Sequence, residues 1–165
     1  MRMKKIYLAG PDVFRADYAA HKDRLKQLCQ AAGLLPLCPA DDEIPDDPDS
    51  PDSPFSQRIY EQNIALINAA DIVMANVQNF RGSEPDSGTV FEIAYAIGKG
   101  KKVWCYNVPV MSLRQQIPCD SAGRDADGYA VEDFGLSRNL MLAHSSVQIS
   151  GDAQACIAAI QAYYS

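Results

Sequence analysis

KIYLAGP, residues 5–11, begins with an apolar run of strand length and stops at a glycine and a proline. This pattern predicts a short buried strand over residues 5–9. Residues 17–32 follow with apolar side chains at helical spacing, and Gly33 marks the end of that helix. A strand followed at once by a helix forms one βα unit, and repeated βα units build a parallel sheet.

The same alternation of strand and helix continues along the chain. Further strands are predicted at residues 34–38, 71–77, 102–106 and 146–149, and further helices at residues 55–69, 88–99 and 152–163. We therefore expect one domain over residues 1–165 with an α/β fold. The expected architecture is flavodoxin-like and doubly wound, a five-stranded parallel sheet with helices on both faces.

Two polar stretches interrupt this alternation. Residues 39–54 hold seven acidic residues and five prolines, and residues 116–135 are polar and contain glycine. Such stretches are commonly solvated surface loops. In an open α/β sheet, however, ligands bind beyond the carboxyl ends of the strands, where these loops emerge. Both interpretations stay open from the sequence.

Composition limits the classes of partner. Lys and Arg number 15 against 21 Asp and Glu, a net charge of −6, and the absence of a long basic run argues against nucleic acid. The five cysteines are scattered and accompanied by two histidines without metal-ligand spacing, so we expect reduced thiols in a cytoplasmic protein with no metal and no cofactor. No apolar run reaches the roughly 18 residues of a membrane span, so no membrane partner is expected.

One carboxylate, Glu92, lies in an otherwise uncharged segment, DSGTVFEIAYAIG at residues 86–98. A helix of this composition is apolar on nearly every face and should be buried, and a buried acid requires a partner or a chemical role. The backbone N–H groups of Ser87 and Gly88 and the positive helix end are expected to keep Glu92 ionised, as a nucleophile must be. Alternatively, Thr89 and Glu92 fit the S/T-x-x-E capping box, in which Glu92 only closes the helix start.

Four segments together resemble the nucleoside 2-deoxyribosyltransferase family. They are IYLAGPDVF at residues 6–14, ADIVMANV at 70–77, FRGSEPDSGTVFEIAYAIGKGKKV at 80–103 and GLSRNLML at 135–142. The most specific element is D-x-G-x-x-x-E, formed by Asp86, Gly88 and Glu92. The resemblance covers nearly the whole chain.

The resemblance implies an enzyme that transfers the 2-deoxyribosyl group of 2′-deoxynucleosides between free nucleobases. Glu92 matches the nucleophile of the family, which forms a covalent deoxyribosyl ester, and Tyr7 matches the tyrosine that orients it. Asp86 matches the aspartate near the sugar hydroxyl. Asn139 and Met141 match residues that a neighbouring protomer contributes, which implies a homo-oligomer, a dimer or a hexamer, with shared active sites.

The remaining candidates for substrate binding come from the same segments and from the acidic loop: Gly10, Asp12, Phe14, Glu43, Asn63, Ser87 and Gly88. Asn63 stands where some members of the family have an aspartate that helps to protonate the departing base. Each polar candidate also has a structural explanation: Tyr7 as a core residue, Asp86 as a helix cap, Asn63 as a backbone bridge. Val90 and Phe91 are expected to pack in the core.

Cleavage of an N-glycosidic bond passes through an oxocarbenium-like state, which suits a carboxylate beneath the anomeric carbon. A hydrolase of 2′-deoxynucleosides or of their 5′-monophosphates needs the same group. Asp86 would repel a phosphate dianion at the pocket edge, which favours nucleosides over monophosphates. A non-catalytic nucleoside-binding module is the alternative from another class.

Overall fold

The computed structural model describes residues 2–39 and 55–165. Its five strands are all parallel and stand in the order β2-β1-β3-β4-β5. They comprise β1 (Lys4–Ala9), β2 (Leu34–Leu37), β3 (Ile72–Asn76), β4 (Lys102–Tyr106) and β5 (Val147–Gln148). This is the flavodoxin-like strand order, and the predicted fold is confirmed.

The helices are α1 (Tyr18–Ala31), α2 (Phe55–Ala69), α3 (Ser87–Gly98), α4 (Leu113–Gln116), α5 (Leu140–Ser145) and α6 (Ala153–Tyr164). A 3₁₀ turn occupies Pro11–Phe14. The long helices begin and end within one residue or so of their predicted positions. The 3₁₀ turn, α4 and α5 were not predicted, because helices this short hold too few turns to show a period.

Helices cover both faces of the sheet, and β1 shows how its residues divide between them. Ile6 and Leu8 pack with α1 and α6, whereas Tyr7 and Ala9 pack with α2, α3 and α5. This alternation follows from the two-residue period of a strand. Tyr7 is fully buried on the side of the sheet that α3 covers, so its hydroxyl lies next to that helix.

The expectation that α3 is buried on nearly every face was wrong. Thr89, Ile93 and Ala96 are buried, but Phe91 is 49% exposed and lies beside Tyr60 of α2 at a ring-centroid distance of 6.2 Å. The predicted core role of Phe91 is therefore corrected. The sheet covers one side of α3, and the composition of the helix does not determine which apolar side chains face it.

The chain order reverses between β1 and β3, where parallel α/β sheets open a ligand crevice. Gly10, directly after β1, has φ +157°, and a Cβ there would lie 2.8 Å from the Asn76 Cβ and 2.7 Å from Asp12 Oδ2. Only glycine permits this approach of the two strand ends. The crevice is thus built by the GPD turn that the sequence carries after its first strand.

All five cysteines are free, and four of them are buried. Among residues 2–39 and 55–165, none of the helices has both the length and the apolar character that a membrane crossing requires.

Candidate active site

Glu92 and Tyr7 form the centre of the site. The Tyr7 hydroxyl donates a hydrogen bond of 2.8 Å to Glu92 Oε1, from β1 to α3 across 85 residues of sequence. Glu92 therefore does not close a capping box with Thr89. The capping interpretation is wrong, because the Thr89 N–H donates to Asp86 and the Glu92 carboxylate accepts from Tyr7.

Burial raises the pKa of Glu92 to about 7, with a smaller contribution from repulsion by Asp86, while the hydrogen bond from Tyr7 lowers it. The expectation that the helix end keeps Glu92 ionised is corrected accordingly. Glu92 is the sixth residue of α3, and the effect of the helix dipole fades beyond the first turn. Burial and the Glu92 carboxylate together raise the pKa of Tyr7, which remains a protonated donor.

Asp86 is the N-cap of α3. Its Oδ2 accepts hydrogen bonds from the Thr89 backbone N–H at 2.8 Å and from the Thr89 hydroxyl at 2.9 Å. Asp86 also acts electrostatically on Glu92. The structural role that the sequence allowed is present, and it leaves Asp86 Oδ1 without a hydrogen bond to the described residues. Ser87 and Gly88 supply the first-turn amides of the same helix.

Asp12 is buried in a polar network on the crevice floor. It accepts from the Asn76 amide at 3.1 Å and 3.2 Å, and His21 Nε2 lies 3.1 Å from its Oδ1. Asn107 donates to Asn76 Oδ1 at 3.0 Å. The carboxylate of Asp12 is thus engaged with neighbouring side chains, and the network holds the turn after Gly10.

Phe14 is 60% exposed and stacks on Phe80 with ring centroids 5.5 Å apart and an interplanar angle of 19°. The Arg81 guanidinium lies 4.6 Å from the Phe80 ring centroid and 5.3 Å from that of Phe14. Arg81 adopts φ +54°, a left-handed conformation that is uncommon for residues other than glycine. Phe80 and Arg81 were not among the residues predicted from the sequence, although both lie in the block that carries the resemblance.

Asn63 lies on α2, and its Oδ1 is buried with no hydrogen-bond partner among the described residues. The same holds for Oε1 of its neighbour Gln62. A buried oxygen without a hydrogen bond is costly, because nothing replaces the hydration that it loses. Glu43, the candidate of the acidic loop, lies outside the described residues.

Asn139 and Met141 do not join Glu92 within one chain. Together with Ser87, Val90 and other residues of α3 and α5, they line a cavity of about 550 Å³ whose described lining includes neither Tyr7 nor Glu92. Val90 and Glu92 are two positions apart on α3, so their side chains point in directions about 160° apart around the helix. Met141 is 70% exposed.

Asn139 caps α5 by accepting from the Met141 backbone N–H at 3.0 Å, and its amide donates to Glu132 Oε1 at 2.5 Å. Its neighbour Arg138, also not predicted from the sequence, is 1% exposed and donates to backbone carbonyls of the segment before α3. No sequence pattern distinguishes this buried arginine from a surface one. In the part of the chain that the structure describes, no group of three or more His, Cys, Asp or Glu is arranged to hold a metal ion.

The model of the family named nucleoside 2-deoxyribosyltransferase matches residues 6–141, from the first strand to the second residue of α5. The chain belongs to this family. All the candidate site residues on β1, α2, α3 and α5 fall within the matched range.

The chain is similar to the solved structure of a 2-desoxiribosyltransferase from Leishmania mexicana. It is 30% identical, covers 98% of this chain and 99% of its own, and superposes with a TM-score of 0.80. A protein of Thermofilum pendens, named provisionally as a 2′-deoxynucleoside 5′-phosphate N-hydrolase, is 30% identical over 133 residues, 80% of this chain and 82% of that protein.

An uncharacterized protein of Schizosaccharomyces pombe is 28% identical over 155 residues, 82% of this chain and 74% of its own length. The proteins to which this chain is similar are thus named for transfer in one case and for hydrolysis in another. Both chemistries act on a deoxyribosyl C–N bond.

Proposed function

We propose that the protein exchanges the base of 2′-deoxynucleosides, with Glu92 as the nucleophile. The observation that carries this proposal is the hydrogen bond between Tyr7 and Glu92, which holds a half-buried carboxylate of α3 against β1. Membership of the nucleoside 2-deoxyribosyltransferase family supports the substrate class. The structural similarity to the Leishmania mexicana 2-desoxiribosyltransferase supports transfer.

In the first step, a carboxylate oxygen of Glu92 forms a bond to C1′ while the C1′–N bond breaks. The bonding electron pair leaves with the base, which takes up a proton. In the second step, a ring nitrogen of the acceptor base attacks C1′ from the face that the first base left, the C1′–O bond breaks, and the acceptor loses its proton. Two inversions give overall retention, and the Glu92 carboxylate is regenerated.

The other side chains bind and orient the nucleoside. Phe14 offers an exposed ring for the base, and Gly10 allows the turn that carries Phe14 to pack closely against Asn76. The buried oxygen of Asn63 is suited to accept a hydrogen bond from the base. An amide has no acidic proton to give at neutral pH, so Asn63 contributes binding and not general-acid catalysis.

We further propose a homo-oligomer in which Asn139 and Met141 complete the site of a neighbouring protomer. Three observations support this arrangement: both residues lie on the side of α3 remote from Glu92, Met141 is largely exposed, and the cavity beside them is mostly apolar. An apolar cavity between two helices is a suitable surface for a second copy of the chain.

Hydrolysis is the second candidate, because the Thermofilum pendens relative is named for it and is as similar in sequence as the transferase from Leishmania mexicana. The chemistry differs only in whether water or a base attacks the intermediate. A nucleoside-binding module without turnover is a third possibility that the same assay addresses.

The test is incubation of the protein with 2′-deoxyinosine and free adenine in phosphate-free buffer, with chromatography of the products. A transferase forms 2′-deoxyadenosine with little free deoxyribose; a hydrolase releases deoxyribose whether or not adenine is present; a binding module does neither. Glu92→Gln protein purified in parallel controls for contaminating enzymes. Thymidine as the donor extends the test to pyrimidines.

A further inference from the structure

Arg138 is a buried cation that ties together two segments of the chain. Its guanidinium donates to the Val77 carbonyl from Nε at 3.0 Å and from Nη2 at 2.5 Å, and to the Ser83 carbonyl from Nη1 at 2.8 Å. Nη2 also donates to Asn79 Oδ1 at 2.6 Å. The side chain is 1% exposed, so four donated hydrogen bonds replace its hydration.

These acceptors bracket the β3–α3 loop, residues 77–86, which connects the third strand to the helix of Glu92. Val77 begins the loop, Ser83 lies three residues before Asp86, and the Phe80 N–H donates to the Glu84 carbonyl at 3.0 Å. The loop therefore folds around the guanidinium. The loop carries Phe80, whose ring stacks on Phe14 in the 3₁₀ turn that follows β1.

We infer that Arg138 is a positioning residue that holds the β3–α3 loop so that Phe80 fixes Phe14 as a wall for the nucleobase. The role of Phe14 rests on the proposed function, whereas the role of Arg138 in positioning the loop rests only on the observed hydrogen bonds. The two parts can be tested separately.

Lysine cannot replace arginine here. A guanidinium presents donors in a rigid planar fork, and in this protein the fork reaches two carbonyls and an amide oxygen in three directions. A lysine ammonium keeps the charge but is a single point at the end of a flexible chain. Arg138→Lys therefore isolates the geometry of the contact from its charge.

The first measurement is hydrogen exchange of the backbone amides in Arg138→Lys and in the wild type. We expect roughly tenfold faster exchange or more in residues 78–84, with the amides of β1, β3 and β4 unchanged. The matched control is Arg124→Lys, since Arg124 donates to the Gly128 carbonyl at 2.8 Å in an exposed turn. Unchanged exchange in the β3–α3 loop overturns the positioning role, whether or not the protein acts on nucleosides.

The second measurement is steady-state kinetics of base exchange, or of hydrolysis if that is the activity. Arg138→Lys should raise KM for the deoxynucleoside roughly tenfold with a smaller change in kcat, because the base wall contributes to binding. A purely structural role lowers the fraction of active protein and leaves the KM of the folded fraction unchanged. An unchanged KM beside a loosened loop therefore overturns the link to the base.

Guanidinium rescue distinguishes the contact from general loss of packing. Guanidinium ion added to Arg138→Ala should restore KM, whereas ethylammonium should not. Failure of the proposed function is separately visible, since wild-type protein would then neither turn over nor bind 2′-deoxynucleosides in calorimetry. Rescue by both cations, or by neither, overturns the assigned fork geometry.

Discussion

The Tyr7 hydroxyl lies 2.8 Å from Glu92 Oε1, which joins β1, an interior strand of the sheet, to the second turn of α3. Each partner acts on the other: the hydrogen bond lowers the pKa of Glu92, and the carboxylate raises the pKa of Tyr7. Tyr7 therefore stays a donor while Glu92 titrates near neutral pH. The hydrogen bond from Tyr7 therefore opposes the effect of burial and favours ionisation of the half-buried Glu92 carboxylate.

Replacement of Glu92 should remove activity without unfolding the protein. Glu92→Gln and Glu92→Ala are expected to lower base exchange about a thousandfold or more, because both remove the atom that forms the intermediate. Glu61→Gln, an exposed carboxylate on α2, is the matched control and should retain activity. A 2-fluoro-2-deoxyarabinosyl nucleoside should add mass to the wild-type peptide that contains Glu92. Near wild-type exchange by Glu92→Gln would rule out the proposed nucleophile.

The pH dependence of activity should follow the ionisation of Glu92. Because the nucleophile is the ionised form, kcat/KM should rise with pH through an apparent pKa near the value of about 7. Tyr7→Phe removes the hydrogen bond that stabilises the carboxylate and should move this rise to higher pH. Asp86→Asn keeps the helix cap but removes the repulsion, and should move it to lower pH. Shifts in the same direction for both variants would contradict the assignment.

The raised pKa of Glu92 also links pH to stability. The folded protein binds the Glu92 proton more tightly than the unfolded chain does. This proton therefore contributes its whole share of the unfolding free energy below about pH 4.5, and the contribution is lost as pH rises through about 7. Glu92→Gln lacks this titration. Relative to Glu92→Gln, the wild type should lose about 3 kcal/mol of unfolding free energy between these limits. Urea unfolding of both proteins at pH 5 and pH 8 measures the difference in unfolding free energy between the wild type and Glu92→Gln. The same difference at both pH values would refute this prediction.

Nucleosides should be preferred over their 5′-monophosphates. The Asp86 carboxylate would repel a phosphate dianion at the site, so the specificity constant for 2′-deoxyadenosine should exceed that for its monophosphate by about tenfold or more. Asp86→Ser retains an N-cap hydroxyl and should reduce nucleoside turnover while narrowing this preference. Equal specificity constants in the wild type would overturn the electrostatic argument and favour the chemistry named for the Thermofilum pendens relative.

Active sites shared between protomers should give subunit complementation. Glu92→Ala and Asn139→Ala proteins, each inactive alone, should recover about a quarter of the active sites after mixing in a dimer. Half of randomly formed dimers are mixed, and each mixed dimer has one intact site. Met141→Ala provides a second donor variant at an exposed position, where folding is not at risk. No recovery after verified subunit exchange would place these residues outside a shared site.

The sequence by itself determined the order and type of the long elements. Strand runs such as residues 5–9 and helical spacing such as residues 55–69 are local patterns, and parallel connection of βα units restricts how they assemble. The family motif likewise placed Tyr7, Asp86 and Glu92 among the candidates. These signals can be read from the sequence because each depends on residues that lie a few positions apart in the chain.

Only the tertiary structure decided what these side chains contact. The partner of Glu92 is Tyr7, distant in sequence, rather than Thr89 three residues away, and the shift in its pKa comes mainly from burial by the whole fold. Phe91 is exposed and Arg138 is buried, contrary to what their residue types favour. Burial and electrostatics depend on every group that surrounds a side chain, and packing across the sheet, not the local sequence, brings those groups together.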